Sequence, residues 1–373
     1  MHGTGKDPRA VRLTGSTVAS TGKPFVIPLF IPHMGCPNRC VFCDQNTIVG
    51  GGKKPPSPSE AAEEIQRFLV FKKGERSWSE VAFYGGNFLG LQIDYRNALL
   101  AVAQRFVDEG RIDGIRFSTR PDTISEASVQ GLAPYRITTV ELGVQSLDDR
   151  VLAASRRGHT AEDSRRAVAV LKAWGGDIGL QIMPGLPGDT PAFIEKTGRG
   201  IVELTPRFVR IYPTVVVKGT TLEGWYRSGR FRPLSLDVAV TQVKALYSLF
   251  KGQGISVIRM GLQGSDELVK PGSLVAGPYH PAFGHLVYSA LFLDRNRITP
   301  NASVYFPDPE FPFTRLYEPK NRSRYMAPEG KTSLIMEIPC WEGDEVWSTP
   351  GELLADRCAG ALEKIGWMGK KDI

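Results

Sequence analysis

Three of the chain's five cysteines, Cys36, Cys40 and Cys43, fall within eight residues in the order C-x3-C-x2-C. Thiolates are soft ligands, and an iron–sulfur cube takes one thiolate per iron, so three local cysteines would hold three irons and leave the fourth open to another ligand. Pro37 and Asn38 suit a tight loop that turns the three sulfurs toward one centre. Phe42, immediately before the third cysteine, would sit at the lip of that loop and offer a flat apolar face to a bound base. Two other chemistries stay open here. With His33 as a fourth ligand the loop has the donor set of a structural zinc site, although such sites more often come as two separated pairs. Disulfides fit poorly, since the cysteine number is odd and no secretory signal is visible.

The elements that must position this loop can be read from the apolar runs. Pro24–Pro32, P-F-V-I-P-L-F-I-P, has the character of a strand buried in a parallel sheet, and the cysteine loop leaves its end. A second strand, Glu80–Tyr84, ends in Gly85-Gly86-Asn87; paired glycines after a buried strand mark a sharp turn or the close approach of a ligand. A third is expected over 114–119. The fourth, Ile137–Leu142, runs into Gly143-Val144-Gln145 and carries Glu141, an acid in an apolar run that is costly unless it has partners. A ribose diol or a nearby arginine would serve, and Arg157, twelve residues beyond Gln145, is the guanidinium put forward. A fifth strand, Ile178–Met183, carries Gln181; a sixth, Phe208–Tyr212, brings Tyr212 to the mouth, and Ile255–Met260 could add one more.

Helical spacing fills the gaps between these runs, giving six strand–helix units about 30 to 40 residues apart. Repeated right-handed crossovers of that length build a parallel sheet, and every motif falls just after a strand end, where parallel-sheet enzymes keep their active sites. The expected fold class is α/β: a partial (β/α)6 barrel over residues 24–260, preceded by a flexible tail over 1–23 and followed by a C-terminal extension over 261–373. Within the extension, Tyr279, His280 and His285 are unusual for a linker, the Pro- and aromatic-rich stretch 300–328 shows neither period, and Cys340 and Cys358 are expected as buried thiols.

With 373 residues, 42% hydrophobic and 23% charged, the composition is that of a globular protein. No apolar run approaches the ~20 residues that span a bilayer, which leads to the expectation of a cytoplasmic protein with no membrane partner. A net charge of +7 hints at an anionic partner such as RNA, or reflects scattered surface lysines and arginines.

The cysteine loop, with its aromatic before the third cysteine, resembles the cluster loop of the radical S-adenosylmethionine (SAM) superfamily. The resemblance implies a 4Fe-4S cluster on Cys36, Cys40 and Cys43, SAM on the open iron, and one-electron cleavage of SAM to a 5'-deoxyadenosyl radical. It also implies a one-electron donor such as flavodoxin or ferredoxin. Gly85, Gly86 and Asn87 stand where that superfamily commonly has G-G-E, whose backbone and third side chain bind the SAM amino group; Asn87 offers an amide oxygen without the charge. In the oxygen-independent coproporphyrinogen oxidases, a glutamine in G-V-Q and an arginine twelve residues on contact SAM. That similarity assigns Gln145 and Arg157 to the cofactor, and it places Gln181 at an adenosine contact where those relatives carry an acid.

Longer phrases, among them S-T-R-P-D, V-E-L-G-V-Q-S, R-R-G-H-T, M-P-G-L-P-G and A-G-P-Y-H-P-A-F-G, resemble the radical SAM half of the Elongator catalytic-subunit family over roughly residues 24–290. In that family the half works with an acetyltransferase domain on wobble uridine of tRNA, which makes tRNA a candidate substrate. The roughly 90 residues that follow show no Gly-rich pyrophosphate loop and are expected to be too few for an acetyltransferase domain. Two alternatives remain. One is a radical SAM enzyme of tetrapyrrole chemistry, and the other a non-catalytic relic that binds a cluster or RNA.

Overall fold

Seven runs rich in β-branched and aromatic residues lie side by side as one parallel sheet in the computed structural model. The structure describes residues 24–31, 34–44, 54–71 and 78–262, and beyond these 268, 270, 272–280, 283, 292–293, 297–301, 303–321, 330, 332–338, 345–349 and 351–369. The tail expected over 1–23, together with His33, His285 and Cys340, lies outside the described residues.

The strands are β1 (Phe25–Ile31), β2 (Ser79–Gly85), β3 (Gly114–Thr119), β4 (Ile137–Gln145), β5 (Asp177–Ile182), β6 (Phe208–Ile211), β7 (Val216–Val217) and β8 (Ser256–Met260). The sheet order is β1-β2-β3-β4-β5-β6-β8, every neighbour parallel. This is the half-barrel expected of the sequence, with the Ile255–Met260 run present as the seventh strand. Strand β1 lies at the edge, which is why it tolerates Pro28 in its middle: only one side of the strand needs ladder donors. Its residues alternate, with Ile27, Leu29 and Ile31 buried and Phe30 exposed.

The crossovers are helices whose starts are written locally. Helix α1 (Pro58–Val70) begins with a capping box between Ser57 and Glu60 and with proline in its first turn. Next come α2 (Ile93–Asp108), α3 (Glu126–Gln130) and α4 (Asp149–Ala154), then α5 (Ala161–Trp174), which opens on a Thr160–Asp163 capping box and ends on Gly175 in the left-handed region. The remaining helices of this unit are α6 (Pro191–Leu204), α7 (Thr221–Arg227) and α8 (Leu236–Gly252). The core includes Val81, Phe83, Phe117 and Leu142 on strands and Ile65, Leu99, Leu100 and Leu171 on helices, all at 1% exposure or less. Each such side chain contributes about 1.5–3 kcal/mol of burial. Phe83, Phe88 and Phe117 stack in series, with centroids 4.8 and 5.0 Å apart.

The chain divides into two compact units after Phe283. Within the first, β9 (Leu274–Ala276) pairs antiparallel with β7, and Leu268, Leu274 and Tyr279 pack against Val215 and Val217. In the second, β10 (Phe292–Leu293) pairs with β13 (Thr332–Ser333), and β12 (Arg315–Tyr317) lies between β11 (Ser303–Tyr305) and β14 (Ile335–Glu337). The stretch 300–328, read as lacking a period, therefore contains strands; at three residues each they are too short for alternation to register. Helices α9 (Glu345–Ser348) and α10 (Gly351–Lys364) complete this unit, and the buried thiol of Cys358 sits in its core with Phe306, Phe313, Leu316 and Leu362.

Candidate active site

The cysteine loop leaves β1 and lies flat on the turn after β2. The amide of Gly86 donates to the carbonyl of Ile31, and that of Asn87 to the carbonyl of Met34, both at 3.0 Å. Gly85 has φ +122°, and a Cβ there would stand 2.4 Å from the Ile31 oxygen; one on Gly86 would stand 2.2 Å from the Met34 oxygen. The close approach that requires the glycine pair is thus made by the protein's own chain, the end of β1 at Gly85 and the start of the cysteine loop at Gly86. Asn87 is 1% exposed, and its carboxamide is spent within the protein. Its Nδ2 donates to Gly35 at 2.7 Å, while Oδ1 accepts from Thr119 at 2.6 Å and from Thr123 and the Arg120 amide at 3.1 Å. One side chain staples the cysteine loop to the turn after β3.

On its other side the loop is tied to α4 and α7. The Val41 amide donates to Ser155 at 3.2 Å, and the Leu222 amide donates to Val41 at 2.8 Å. Phe42, expected at the lip with an open face, instead packs into an apolar cluster with Val41, Val151, Leu186, Val216 and Leu222. The sulfurs are graded in access: Cys36 exposed, Cys43 half-buried, Cys40 buried, all free thiols. Burial, reinforced by Cys40 and Cys36, pushes the Cys43 thiol up to about 12; burial also raises that of Cys36, against the pull of Arg120. Among the described residues no three of His, Cys, Asp and Glu are grouped so as to hold a single metal ion. A cube asks instead for one thiolate at each of three irons.

Arg157 reaches this loop from the end of α4. Arg156 turns into the left-handed region at φ +52°, with its amide on Ala153 and that of Arg157 on Leu152, both at 3.0 Å. The reversal leaves Arg156 exposed and turns Arg157 inward. Arg157 Nη1 donates to Cys40 Sγ at 3.1 Å, and Nη2 donates to the Gly143 carbonyl at 2.6 Å. Beside it, Gln145 holds φ +68° where the β4–β5 register shifts, and Gln181 Nε2 lies 3.4 Å from Gln145 Oε1. The structure so brings together Cys40, Arg157, Gln145 and Gln181. His159, which drew no role from the sequence, donates from Nε2 to the Val144 carbonyl at 3.2 Å. Burial, then Arg157 and Arg120, lower its pKa to about 4 and keep the ring neutral.

Glu141 has arginine partners, but Arg157 is not among them. Its Oε1 accepts from Tyr84 at 3.0 Å, Arg116 at 3.3 Å and Arg210 at 3.1 Å, and its Oε2 meets Arg210 Nε at 2.7 Å. The reason is geometric: Arg116 and Arg210 stand on strands of the same sheet, whereas the Arg157 guanidinium is held by Cys40 and Gly143. Glu80, 1% exposed, meets the other side of Arg116 at 2.5 Å, so two buried carboxylates balance one buried and one partly buried guanidinium. The signal that singled out Glu141, a charge within an apolar strand, applies equally to Arg116 in G-I-R-F-S-T and Arg210 in F-V-R-I. Tyr212 accepts from Arg210 Nη1 at 3.3 Å and joins this network.

Beside the thiols, Arg120 Nη1 and Arg157 Nε are buried without a hydrogen-bond partner, and both arginines act electrostatically on Cys36. Thiolates on an iron–sulfur core form an anion, and buried guanidiniums with unspent N–H groups complement it, so these residues fit the group.

This parallel half-barrel, with three cysteines on the loop after its first strand, defines a class. The chain belongs to the radical SAM superfamily: the Radical SAM superfamily domain matches residues 30–199 and the Radical_SAM C-terminal domain residues 206–292. It is an enzyme of that superfamily with Elongator-like relatives. It is 29% identical over 247 residues to the tRNA uridine(34) acetyltransferase of Dehalococcoides mccartyi, covering 57% of this chain and 54% of that one. It is 30% identical over 193 residues to Elongator complex protein 3 of Saccharomyces cerevisiae, covering 46% and 34%. The chain thus spans about half the length, or less, of these curated relatives. Among solved structures, archaeal Elp3 of Methanocaldococcus infernus matches with a TM-score of 0.57 at 23% identity, covering 71% of this chain and 62% of that one, a likeness of fold. No helix among the described residues is long and apolar enough to cross a membrane.

Proposed function

We propose that the chain holds a 4Fe-4S cluster on Cys36, Cys40 and Cys43, binds SAM beside it, and acts on RNA, with tRNA as the substrate that the relatives' names suggest. The observation that carries this reading is Arg157, one guanidinium joining a ligand thiol to the end of β4 within reach of Gln145 and Gln181. When bound, the cluster and SAM supply one-electron cleavage that yields a carbon radical for attack on the substrate. The chain's own residues bind and orient. Gly85 and Gly86 present backbone at the end of β2, and Asn87 holds the loop above them in place. Gln145 and Gln181 offer amide groups to the adenosine, Glu141 lends a carboxylate fixed by Arg116 and Arg210, and Phe42 and its apolar neighbours keep water from the cluster. A flavodoxin- or ferredoxin-type donor would deliver the electron. Acetyl transfer, named for the longer relatives, is not part of the proposal.

The test is anaerobic reconstitution and electron paramagnetic resonance of the dithionite-reduced protein, with and without SAM, alongside assay for 5'-deoxyadenosine. A reduced-cluster signal that changes when SAM is added, and is lost in Cys36→Ser, Cys40→Ser or Cys43→Ser, is expected. A protein that binds one zinc and gives no cluster signal would make the loop a structural site.

A further inference from the structure

Arg156 and Arg157 are adjacent and face opposite ways. While Arg157 turns to the cysteine loop, the guanidinium of Arg156 lies 5.8 Å from the centre of the Trp225 ring. A second guanidinium, that of Arg230, lies 4.5 Å from the same ring. The Trp225 carbonyl accepts from the Arg230 amide at 2.8 Å and from that of Phe231 at 3.1 Å, which folds the segment after α7 back over the helix. Arg156, Trp225, Arg230 and Phe231, with Pro187 and Gly188, line a cavity of about 370 Å³, within the size range of ligand sites.

Several exposed arginines elsewhere are paired with carboxylates: Arg67 with Glu64, Arg166 with Asp163, Arg199 with Glu195 and Arg227 with Glu223. Among the described residues Arg156 and Arg230 form no ion pair; each has only the indole beside it. Two uncompensated guanidiniums beside an indole and a phenyl ring complement a group that carries both an anionic tetrahedral head and a flat π face. A nucleotide has both, and single-stranded nucleic acids are held in this manner, phosphate on arginine and base on an aromatic ring. The place is also suitable: Trp225 and Phe231, both on the cavity wall, pack against the apolar cluster that contains Cys40 and Phe42 of the cysteine loop.

We propose that this cavity holds one nucleotide of the RNA substrate next to the reacting one, with its phosphate between Arg156 and Arg230 and its base against Trp225. The inference rests on the RNA reading above, and the experiment separates the two. The reconstituted full chain is titrated with a fluorescein-labelled, short single-stranded oligoribonucleotide over a range of salt, and separately with ADP as a free nucleotide. Wild type is expected to bind the oligonucleotide with salt-sensitive affinity. Trp225→Ala should weaken it by about tenfold, the loss of one stacked base. Trp225→Phe, which keeps a stacking face and most of the packing, should retain most of the affinity and guards against misfolding of the alanine variant. Arg156→Gln and Arg230→Gln should each flatten the slope of log affinity against log salt by about 0.7, one phosphate contact on a single strand. Both should keep the SAM-dependent cluster signal, while Arg199→Gln should bind as wild type does. If the wild type binds RNA and these variants match it, the cavity assignment falls and the RNA reading stands. If it binds ADP through Trp225 but no RNA, the cavity's RNA source and the RNA reading both fall, leaving a free-nucleotide site. If it binds neither, both readings fall.

Discussion

Arg157 and Cys40 are joined by a hydrogen bond of 3.1 Å from guanidinium to sulfur, and the same guanidinium grips the Gly143 carbonyl at 2.6 Å. A planar fork can hold a thiol and a strand end at once, which a lysine ammonium on a flexible stem does less well. The cluster's electronic environment and the position of β4 are therefore coupled through one side chain.

Replacing Arg157 by Met should leave the cluster bound but make its reduction potential more negative, because a positive charge and a donor to the ligand sulfur are both lost. The expected change is roughly 40–90 mV, the one-electron equivalent of about 1–2 kcal/mol. A redox titration followed by electron paramagnetic resonance reads it, and an unchanged potential would mean that the bond to Cys40 is not kept in the cluster-bound protein.

Asn87→Ala would strip four hydrogen bonds from a fully buried point and take from the Gly35 carbonyl and the Arg120 amide the partner that the side chain gives them. Destabilisation of roughly 3 kcal/mol is expected. Asn87→Asp should cost a comparable amount, since it exchanges the donor to Gly35 for a carboxylate oxygen facing a carbonyl. Urea unfolding of the first unit's signal measures both; a loss below about 1 kcal/mol would show that the staple is dispensable.

Glu141→Ala leaves the partly buried Arg210 and one side of the buried Arg116 without a counter-charge, at a cost of about 3 kcal/mol. Adding Arg210→Met should recover part of that loss, because the two changes together remove a paired group rather than half of one. A double-mutant cycle in which the losses simply add would refute the coupling.

A partly buried carboxyl and a buried imidazole titrate in the same window with opposite sign. Burial raises the Asp189 carboxyl from 3.8 to about 6, so it lends stability at pH below its unfolded value and loses it as pH rises through 6. Burial, with Arg157 and Arg120, lowers His159 from 6.5 to about 4, so its contribution is present above pH 6.5 and is lost as pH falls through 4. Each is worth up to about 3 kcal/mol, and between pH 4 and 6 they oppose each other. Asp189→Asn should therefore uncover stability that rises with pH, and His159→Gln stability that falls with pH. Denaturation midpoints of the apo protein across that range check both slopes, and parallel profiles would contradict the assignment.

Much of this site is legible in the sequence. Buried strands announce themselves as short apolar runs, so the sheet and the emergence of Cys36, Cys40 and Cys43 from its first strand were accessible, as was the reversal at Gly85-Gly86. Partner choice was less so. Charge and nearness in sequence point Glu141 to Arg157, but residues on different strands meet through the sheet, and Arg116 and Arg210 reach the carboxylate from 25 and 69 residues away. Phe42 departs from its expected place for a similar reason, since its burial depends on α4, β7 and α7. The role of Asn87 was hidden too: a carboxamide looks the same in sequence whether it serves a ligand or its own backbone.

The bonds that hold the cysteine loop come from the turn after β2, itself pinned to the turn after β3, and from the end of α4 and the start of α7, all protein atoms. The conformational entropy of shaping the loop is therefore met when the polypeptide folds. Affinity for the inorganic core then need not be spent on ordering chain, and can go into the sulfur–iron bonds themselves.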